Sequence, residues 1–412
     1  MDFSYSDRVQ QLRRQLLDFM DAHIIPRISQ WRNEVESGSY PVSFMHDLKS
    51  LAREEGLWNL FLPGLAAHEP GTRLSNLEYA PLAEIMGRIP WSSEVFNCNA
   101  PDTGNMEVLH LFGSEEQQRQ WLEPLLAGEI RSAFAMTEPD SSSSDASNIQ
   151  CAIIADGDDY VINGRKWFIT NAHHPHCRVF IVMGKTDPNA DKYRQQSMVL
   201  VPMETPGVDV QRNIPVLNHY SPEGHSEVLF HDVRVPKSNL IAGEGDGFLI
   251  AQARLGPGRV HHCMRAIGMA ELCLELLVAR SRERRTFGRY LYEHGKIAEW
   301  IARSRIEIEQ ARLLVLKTAA MIDAQGARAA RKEVAMIKVV APTLLTEIAD
   351  RAMQTWGAMG ASADTPLADL YTAGRALRYA DGPDEVHLHS IARLEMREQA
   401  DYGPRLAPYL AQ

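Results

Sequence analysis

Residues 151–170 read CAIIADGDDYVINGRKWFIT. Short β-rich runs are separated here by Asp156-Gly157 and Asn163-Gly164, pairs that suit tight turns between strands. The runs RVFIVMGKTD (178–187), SMVLVPMET (197–205) and EVLFHDVRVP (227–236) continue the texture. Together they predict a small antiparallel barrel or sandwich in the middle of the chain. On either side the pattern changes to helix. Val9, Leu12, Leu16, Phe19 and Met20 recur at helical spacing after a Ser6/Asp7 cap, with Pro26 just beyond. FMHDLKSLAREEGLW (44–58) reads as a helix stopping near Gly56. In GSEEQQRQWLEPLLAGE (113–129), Ser114 is the N-cap and Gln117 completes a capping box.

Beyond residue 245 the spans near 260–283, 294–325, 328–357 and 384–398 are long, rich in Ala, Leu, Met and Arg, and separated by Gly or Pro. Long helices with short connections imply a bundle. The expected fold class is α+β, in three parts: an N-terminal helical part (1–132), a middle β barrel or sandwich (133–242) and a C-terminal helical bundle (243–412).

The chain has 412 residues, 45% hydrophobic and 23% charged, a globular composition with ample material for a core. Lys plus Arg come to 43 and Asp plus Glu to 53, a net charge of −10. An acidic chain without a basic block is a poor partner for nucleic acid or an anionic membrane. No apolar run is long enough to span a bilayer, and the start, MDFSYSDRVQQLRRQL, has no signal core. Five cysteines (Cys98, Cys151, Cys177, Cys263, Cys273) form no CxxC pair and read as reduced core thiols of a cytoplasmic protein.

No phosphate loop, HExxH or GxSxG occurs, and Gly256-Pro257-Gly258 and Gly357-Ala358-Met359-Gly360 make no dinucleotide fingerprint. His173–Cys177 (HHPHC) looks metal-like but has no second cluster to complete it, so a polar turn is the better reading and no metal is expected. His261-His262-Cys263 are neighbours on a helix and point apart. Ala133–Asn148 crowds hydroxyls at a strand end, suited to a polar ring or a phosphate, or to a solvated loop. Arg284–Gly295 (RRTFGRYLYEHG) sets cations and an aromatic at a helix break, suited to a pyrophosphate, or to a solvated helix end over a buried Phe287. Asp381 lies on a Gly-Pro loop before a helix, as a general base or as a turn residue.

The order TEPxxxSSD (137–145), KWFITN (166–171), EVLFHDVRVPKSNLIAGEGDGF (227–248), RRTFG (284–288), QTWGAMGA (354–361) and ADGPDE (380–385) resembles the acyl-CoA dehydrogenase flavoprotein family over nearly the whole chain. The ADGPDEVH form resembles the branch of family members ten and eleven. The resemblance implies FAD as cofactor, an acyl-CoA substrate, electron-transfer flavoprotein as electron partner and a homotetramer. It implies β-oxidation chemistry: a base removes the α-proton while a β-hydride leaves to flavin N5, giving a trans-2-enoyl-CoA. It assigns Phe134, Met136, Thr137, Ser143, Ser144, Phe168 and Thr170 to the flavin. Arg284, Thr286, Phe287, His294 and Gln354 fall to FAD across a subunit boundary, with Pro383 and Glu385 after the catalytic loop. Ser144, Thr186, Arg259, Gly382 and Arg393 fall to the substrate, and Asp381 to the base. The family's usual base is Glu, so Asp381 is one methylene shorter. A flavin oxidase of the nitroalkane-oxidase type, which also carries Asp there, is the alternative. Asp381 is expected between an apolar run that desolvates it and a Gly-Pro turn that fixes its direction.

Overall fold

The computed structural model describes residues 4–399 and 403–410. The chain divides into two compact units, Met1–Gly258 and Arg259–Gln412.

The first unit opens with helices α1 (Asp7–Phe19), α2 (Ile28–Glu36), α3 (Met45–Glu54), α4 (Asn76–Gly87), α5 (Ser92–Val95), α6 (Asp102–Phe112), α7 (Glu115–Gln117) and α8 (Glu123–Leu126). Ser6 caps α1 by accepting from the Val9 N–H, as its sequence predicts. Ser114 and Gln117 form the expected capping box, although a π-turn at Gln118–Leu122 interrupts the helix that follows. A second capping box, Ser75 with Glu78, starts α4.

The middle of the chain forms strands β1 (Arg131–Ala135), β2 (Ala152–Asp156), β3 (Asp159–Thr170), β4 (Cys177–Lys185), β5 (Gln196–Pro202), β6 (Val208–Asn213) and β7 (His225–Pro236). They make one seven-stranded sheet, ordered β1-β4-β2-β3-β7-β6, with β5 added beside β4. The pairing is mixed, not antiparallel throughout as the hairpin signals suggest. β1 runs parallel to β4, and β2 touches β4 in parallel at Ala152↔Lys185. The Asp156-Gly157 turn is local and readable, but Asn163-Gly164, read as a turn between strands, lies inside β3 at a register shift against β7; β1 arrives from the helices and joins β4 through a pairing no turn signal marks. Inside lie Ile153, Tyr160, Ile162, Phe180, Val182, Val199, Val228 and Phe230, all buried.

Helices and sheet are joined by polar groups. Asp102 on α6 accepts from the Ser132 N–H at 2.7 Å, the Ser132 hydroxyl at 2.6 Å and Asn171 Nδ2 at 3.0 Å, and pairs with Arg131 Nε at 3.0 Å. The HHPHC run closes a turn beside this network. His174 is 2% exposed, sits edge-on to Tyr40 and accepts from the His176 N–H through Nδ1. Burial, then the charge of Arg131, push its pKa down to about 3.

Helix α9 (Gly247–Glu283) begins in the first unit and ends in the second. It starts well before residue 260 and runs through Gly256-Pro257-Gly258, where the sequence reads as a break. An interior proline costs about 3 kcal/mol of helix propensity; burial of Ile250, Ala251, Val260, Cys263 and Met264 on the same helix outweighs it. The second unit continues with the hairpin β8 (Arg285–Thr286) and β9 (Arg289–Tyr290), then α10 (Gly295–Gln325), α11 (Arg331–Trp356), α12 (Leu367–Leu377), α13 (Asp384–Glu398) and α14 (Gly403–Leu410). All five cysteines are buried and none is in a disulfide among the described residues. No helix among the described residues is long and apolar enough to cross a membrane.

Candidate functional site

In the first unit, β1 ends at Ala135 and the chain leaves it as Met136-Thr137-Glu138-Pro139. The Thr137 carbonyl accepts from the Trp167 N–H at 3.0 Å, so this exit is tied to the far half of β3. Strand alternation puts Ile162, Gly164 and Lys166 on one face, which makes Lys166 an inward-pointing cation. It is fully buried. Its ammonium donates to Glu138 Oε1 at 2.8 Å, the Met136 carbonyl at 2.8 Å and the Met183 carbonyl at 2.7 Å, using all three protons. Glu138 in turn accepts from the Gln150 and Cys151 N–H groups at 2.8 and 2.7 Å and from the Ser141 hydroxyl at 2.9 Å. Burial pushes Glu138 up, but Lys166 and the two backbone donors outweigh it and leave the carboxyl below its ordinary range.

This pair fixes the serine loop. Ser143 accepts from the Glu138 N–H at 2.9 Å and is thereby committed to the loop's own shape, while Ser144 is exposed, its hydroxyl 3.2 Å from that of Ser142. Phe168 lies within a bulge between Lys166 and Ile169 and has φ +53°; it is 42% exposed, with Trp167 edge-on to its ring. Phe134, Met136 and Thr170 are half-buried and Thr137 is exposed. The Thr170 hydroxyl lies 3.0 Å from His225 Nδ1. The Thr186 hydroxyl lies 2.7 Å from that of Ser197, inside the fold's own hydrogen bonding.

In the second unit, RRTFG forms the two-residue hairpin β8–β9. Phe287 and Gly288 occupy its tip at φ +49° and +78°, as a primed turn requires. Phe287 is 93% exposed, which overturns the reading of a buried ring under a helix end. Arg284 is exposed at the hairpin base, half-buried His294 approaches the Thr286 carbonyl through Nε2 at 3.3 Å, and Gln354 is exposed near the end of α11.

The ADGPDE loop joins α12 to α13. Asp381 has φ +56° and Gly382 φ +105°, so two successive residues lie in the left-handed region. At that φ any side chain would be strained, and a Cβ on Gly382 would also press on His387 Nε2 at 3.1 Å, so glycine suits the position. Pro383 caps α13, and Asp384 accepts from Arg378 Nε at 2.7 Å. Arg259 Nε donates to the Asp381 carbonyl at 3.0 Å, so this arginine holds the loop itself. The Asp381 carboxylate is 21% exposed, and His262 Nε2 lies 3.6 Å from its Oδ2. The expected apolar flank is absent: Tyr379 and Ala380 are exposed, and the charged Arg259 and the imidazole of His262 stand near the carboxylate. Behind the loop, Lys338 is fully buried and donates to the Leu377 carbonyl. His387 is buried too, its pKa pushed down to about 4 by burial, then by Arg259 and Lys338. Glu385 and Arg393 are exposed on α13.

Each unit thus gathers its own share of the expected residues. Phe134, Met136, Thr137, Ser143, Ser144, Phe168 and Thr170 fall on one strand exit and its neighbour; Asp381, Gly382 and Arg259 meet at one loop. Lys166, Glu138 and His387 stand inside the quoted motifs but were assigned no role there, and His262 and Lys338 lie outside them. Only Lys166 carried a readable signal, a charge at an inward strand position.

The N-terminal, middle and C-terminal domain models of acyl-CoA dehydrogenase match residues 6–129, 133–233 and 245–395. Acyl-CoA dehydrogenase family member 11 of Mus musculus is 50% identical over 97% of this chain, which spans 52% of that protein. The candidate acyl-CoA dehydrogenase FadE2 of Mycobacterium tuberculosis is 52% identical over 98% of this chain and 99% of its own. A solved candidate acyl-CoA dehydrogenase from Mycobacterium abscessus superposes with a TM-score of 0.92 at 49% identity, covering 96% of this chain and all of that one. The chain spans about half the length of the curated family-member-11 relatives and nearly all of the mycobacterial one. The helical, sheet and helical segments, the ordered motifs and these matches together make the chain a member of the acyl-CoA dehydrogenase family.

Proposed function

We propose that this chain is an FAD-dependent acyl-CoA dehydrogenase that forms a trans-2-enoyl-CoA and hands its electrons to electron-transfer flavoprotein. The observation that carries the reading is the Asp381 loop. A carboxylate is presented on a left-handed turn whose backbone carbonyl is held by Arg259, at the position of the family's base.

The residues present suit a flavin. The strand exit of the first unit offers the Thr137, Ser144 and Thr170 side chains around a half-exposed Phe168, a hydroxyl and aromatic set that fits a neutral heteroaromatic ring. Arg284 offers a planar donor fork for a pyrophosphate. When bound, FAD supplies the acceptor for the two electrons leaving the substrate β-carbon. Asp381 takes the α-proton, and Arg259 keeps the carboxylate's backbone in place while it does so. General base catalysis of this kind contributes roughly 10²–10⁴ in rate. Ser144 and Arg393, both exposed, and Gly382 border the substrate arm in this reading; Thr186 supports the sheet through Ser197. A homotetramer accounts for Phe287, whose exposed ring would find its surroundings in a neighbouring subunit with Arg284 and Gln354. The three-part division at 132/133 and 242/243 belongs to the same proposal.

The test is a panel of acyl-CoA thioesters added anaerobically to the purified, FAD-loaded protein. Bleaching of the flavin absorbance by one member identifies the substrate, and electron-transfer flavoprotein restores the colour. Prompt hydrogen peroxide formation with a nitroalkane, and no bleaching by any acyl-CoA, reassigns the chain to the oxidase type.

A further inference from the structure

Asp381 has a basic neighbour that no motif marks. His262 stands on α9 one turn beyond Arg259, and its Nε2 lies 3.6 Å from Asp381 Oδ2. On the other side of the same ring, Nδ1 lies 3.4 Å from an Arg265 Nη2. A guanidinium only donates, so Nδ1 accepts from it. That places the ring proton of neutral His262 on Nε2, facing the carboxylate. At 3.6 Å the contact is longer than a closed hydrogen bond, and a small side-chain rotation closes it. The backbone on the other side does not share that freedom, since Arg259 grips the Asp381 carbonyl.

We propose that His262 is a positioning residue for Asp381: its Nε2–H engages Oδ2, turns the carboxylate toward the substrate α-proton, and favours the ionised form. The proposal rests on the reading of Asp381 as the base and deepens it. A short base gains most from such a partner. Asp reaches one methylene less far than Glu, and misplacement by about 1 Å costs roughly a hundredfold in rate. The charged and titratable groups around the pair include Arg259, His261, Cys263 and Arg265 on α9, Lys338 on α11, and Asp384 and His387 on α13.

Two measurements on the FAD-loaded protein test it. Histidine Cε1 is labelled with carbon-13 and titrated by NMR, with the His262 signal assigned by its loss in His262→Gln. Because an anion stabilises the charged ring, His262 in wild type should titrate about one pH unit or more above His262 in Asp381→Asn. Rapid-mixing flavin reduction by an acyl-CoA is then followed against pH. In His262→Leu the low-pH limb should move upward by about one unit. His262→Gln, which still donates an N–H, should recover most of that shift. Loss of reduction in Asp381→Asn with an unmoved His262 titration overturns this proposal alone, as does an unmoved limb in His262→Leu. Wild-type reduction in Asp381→Asn overturns the base assignment and this proposal with it.

Discussion

The TEP loop of the first unit and the ADGPDE loop of the second are built on opposite principles. The first surrounds a buried ion pair whose ammonium uses all three donors and whose carboxylate accepts four bonds. The second is held by a strained backbone with two successive left-handed residues and by two guanidinium contacts, Arg259 on the Asp381 carbonyl and Arg378 on Asp384, and it leaves the buried Asp384 Oδ1 without a hydrogen-bond partner among the described residues. A complete polar network is rigid and costly to disturb; an incomplete one can change shape cheaply. Under the proposed function, such a contrast suits a wall that stays planar beside a ring and a base that follows a reacting carbon.

The largest expected effect breaks the chemistry and leaves both loops standing. Asp381→Asn keeps the shape and removes the basicity, so anaerobic flavin reduction by a good acyl-CoA should slow by about 10²–10⁴, with FAD retention unchanged. Rapid mixing gives the rate and the visible spectrum gives the retention.

Next is the rigid loop. Lys166→Met leaves Glu138 buried without its cation, and breaking one side of a buried pair costs about 3–5 kcal/mol. Urea unfolding should show that loss, and the variant should release FAD more readily. A variant as stable as wild type would mean that the TEP loop is held by its backbone alone.

Acid should separate the two loops. The folded value of His387, about 4, lies below its ordinary 6.5. Between those values the unfolded chain binds a proton that the folded one excludes. Its contribution to stability is therefore complete above about pH 6.5 and falls by about 1.4 kcal/mol per pH unit down to about 4, some 2 kcal/mol by pH 5. Glu138, held below its ordinary 4.5, contributes above that value and loses its contribution only as the pH falls further. Hydrogen exchange at pH 5, corrected for intrinsic rates, should thus show the ADGPDE loop loosened and the TEP loop intact. Equal loosening would erase the distinction.

The smallest effect is none. Burial pushes the thiols of Cys151 to about 11 and of Cys177 and Cys263 to about 12, and Cys273 higher still. Iodoacetamide on the folded protein near neutral pH should leave flavin reduction unchanged; inactivation tracking modification of a single thiol would refute this.

The same contrast explains what could be read in advance. Local grammar was legible: the Ser6 cap, the Ser114/Gln117 box and the Asp156-Gly157 turn all concern neighbours in sequence. Helix α9 was misread at Gly256-Pro257-Gly258 because propensity is local, whereas the burial that overrides it is not. The parallel β1–β4 pairing was hidden for the same reason. Of the candidate site, Asp381 stood out through a motif, but its surroundings did not. The expected apolar flank is exposed, and His262 meets the carboxylate only once α9 and the α12–α13 connection are folded against each other. Lys166 shows the middle case: alternation places it inward, but only the folded loop reveals Glu138 as its partner.

The hairpin tip has a further implication for reading mutational data. Phe287 is 93% exposed, and its turn needs left-handed conformations rather than an aromatic ring. Within one chain, replacing it by Asn would remove little packing and would suit the turn better. A library scored for folding yield should therefore rate that change as neutral or beneficial. One scored for growth on the enzyme's substrate should reject it. Positions where two such screens disagree in this direction are those whose side chain serves something other than its own fold.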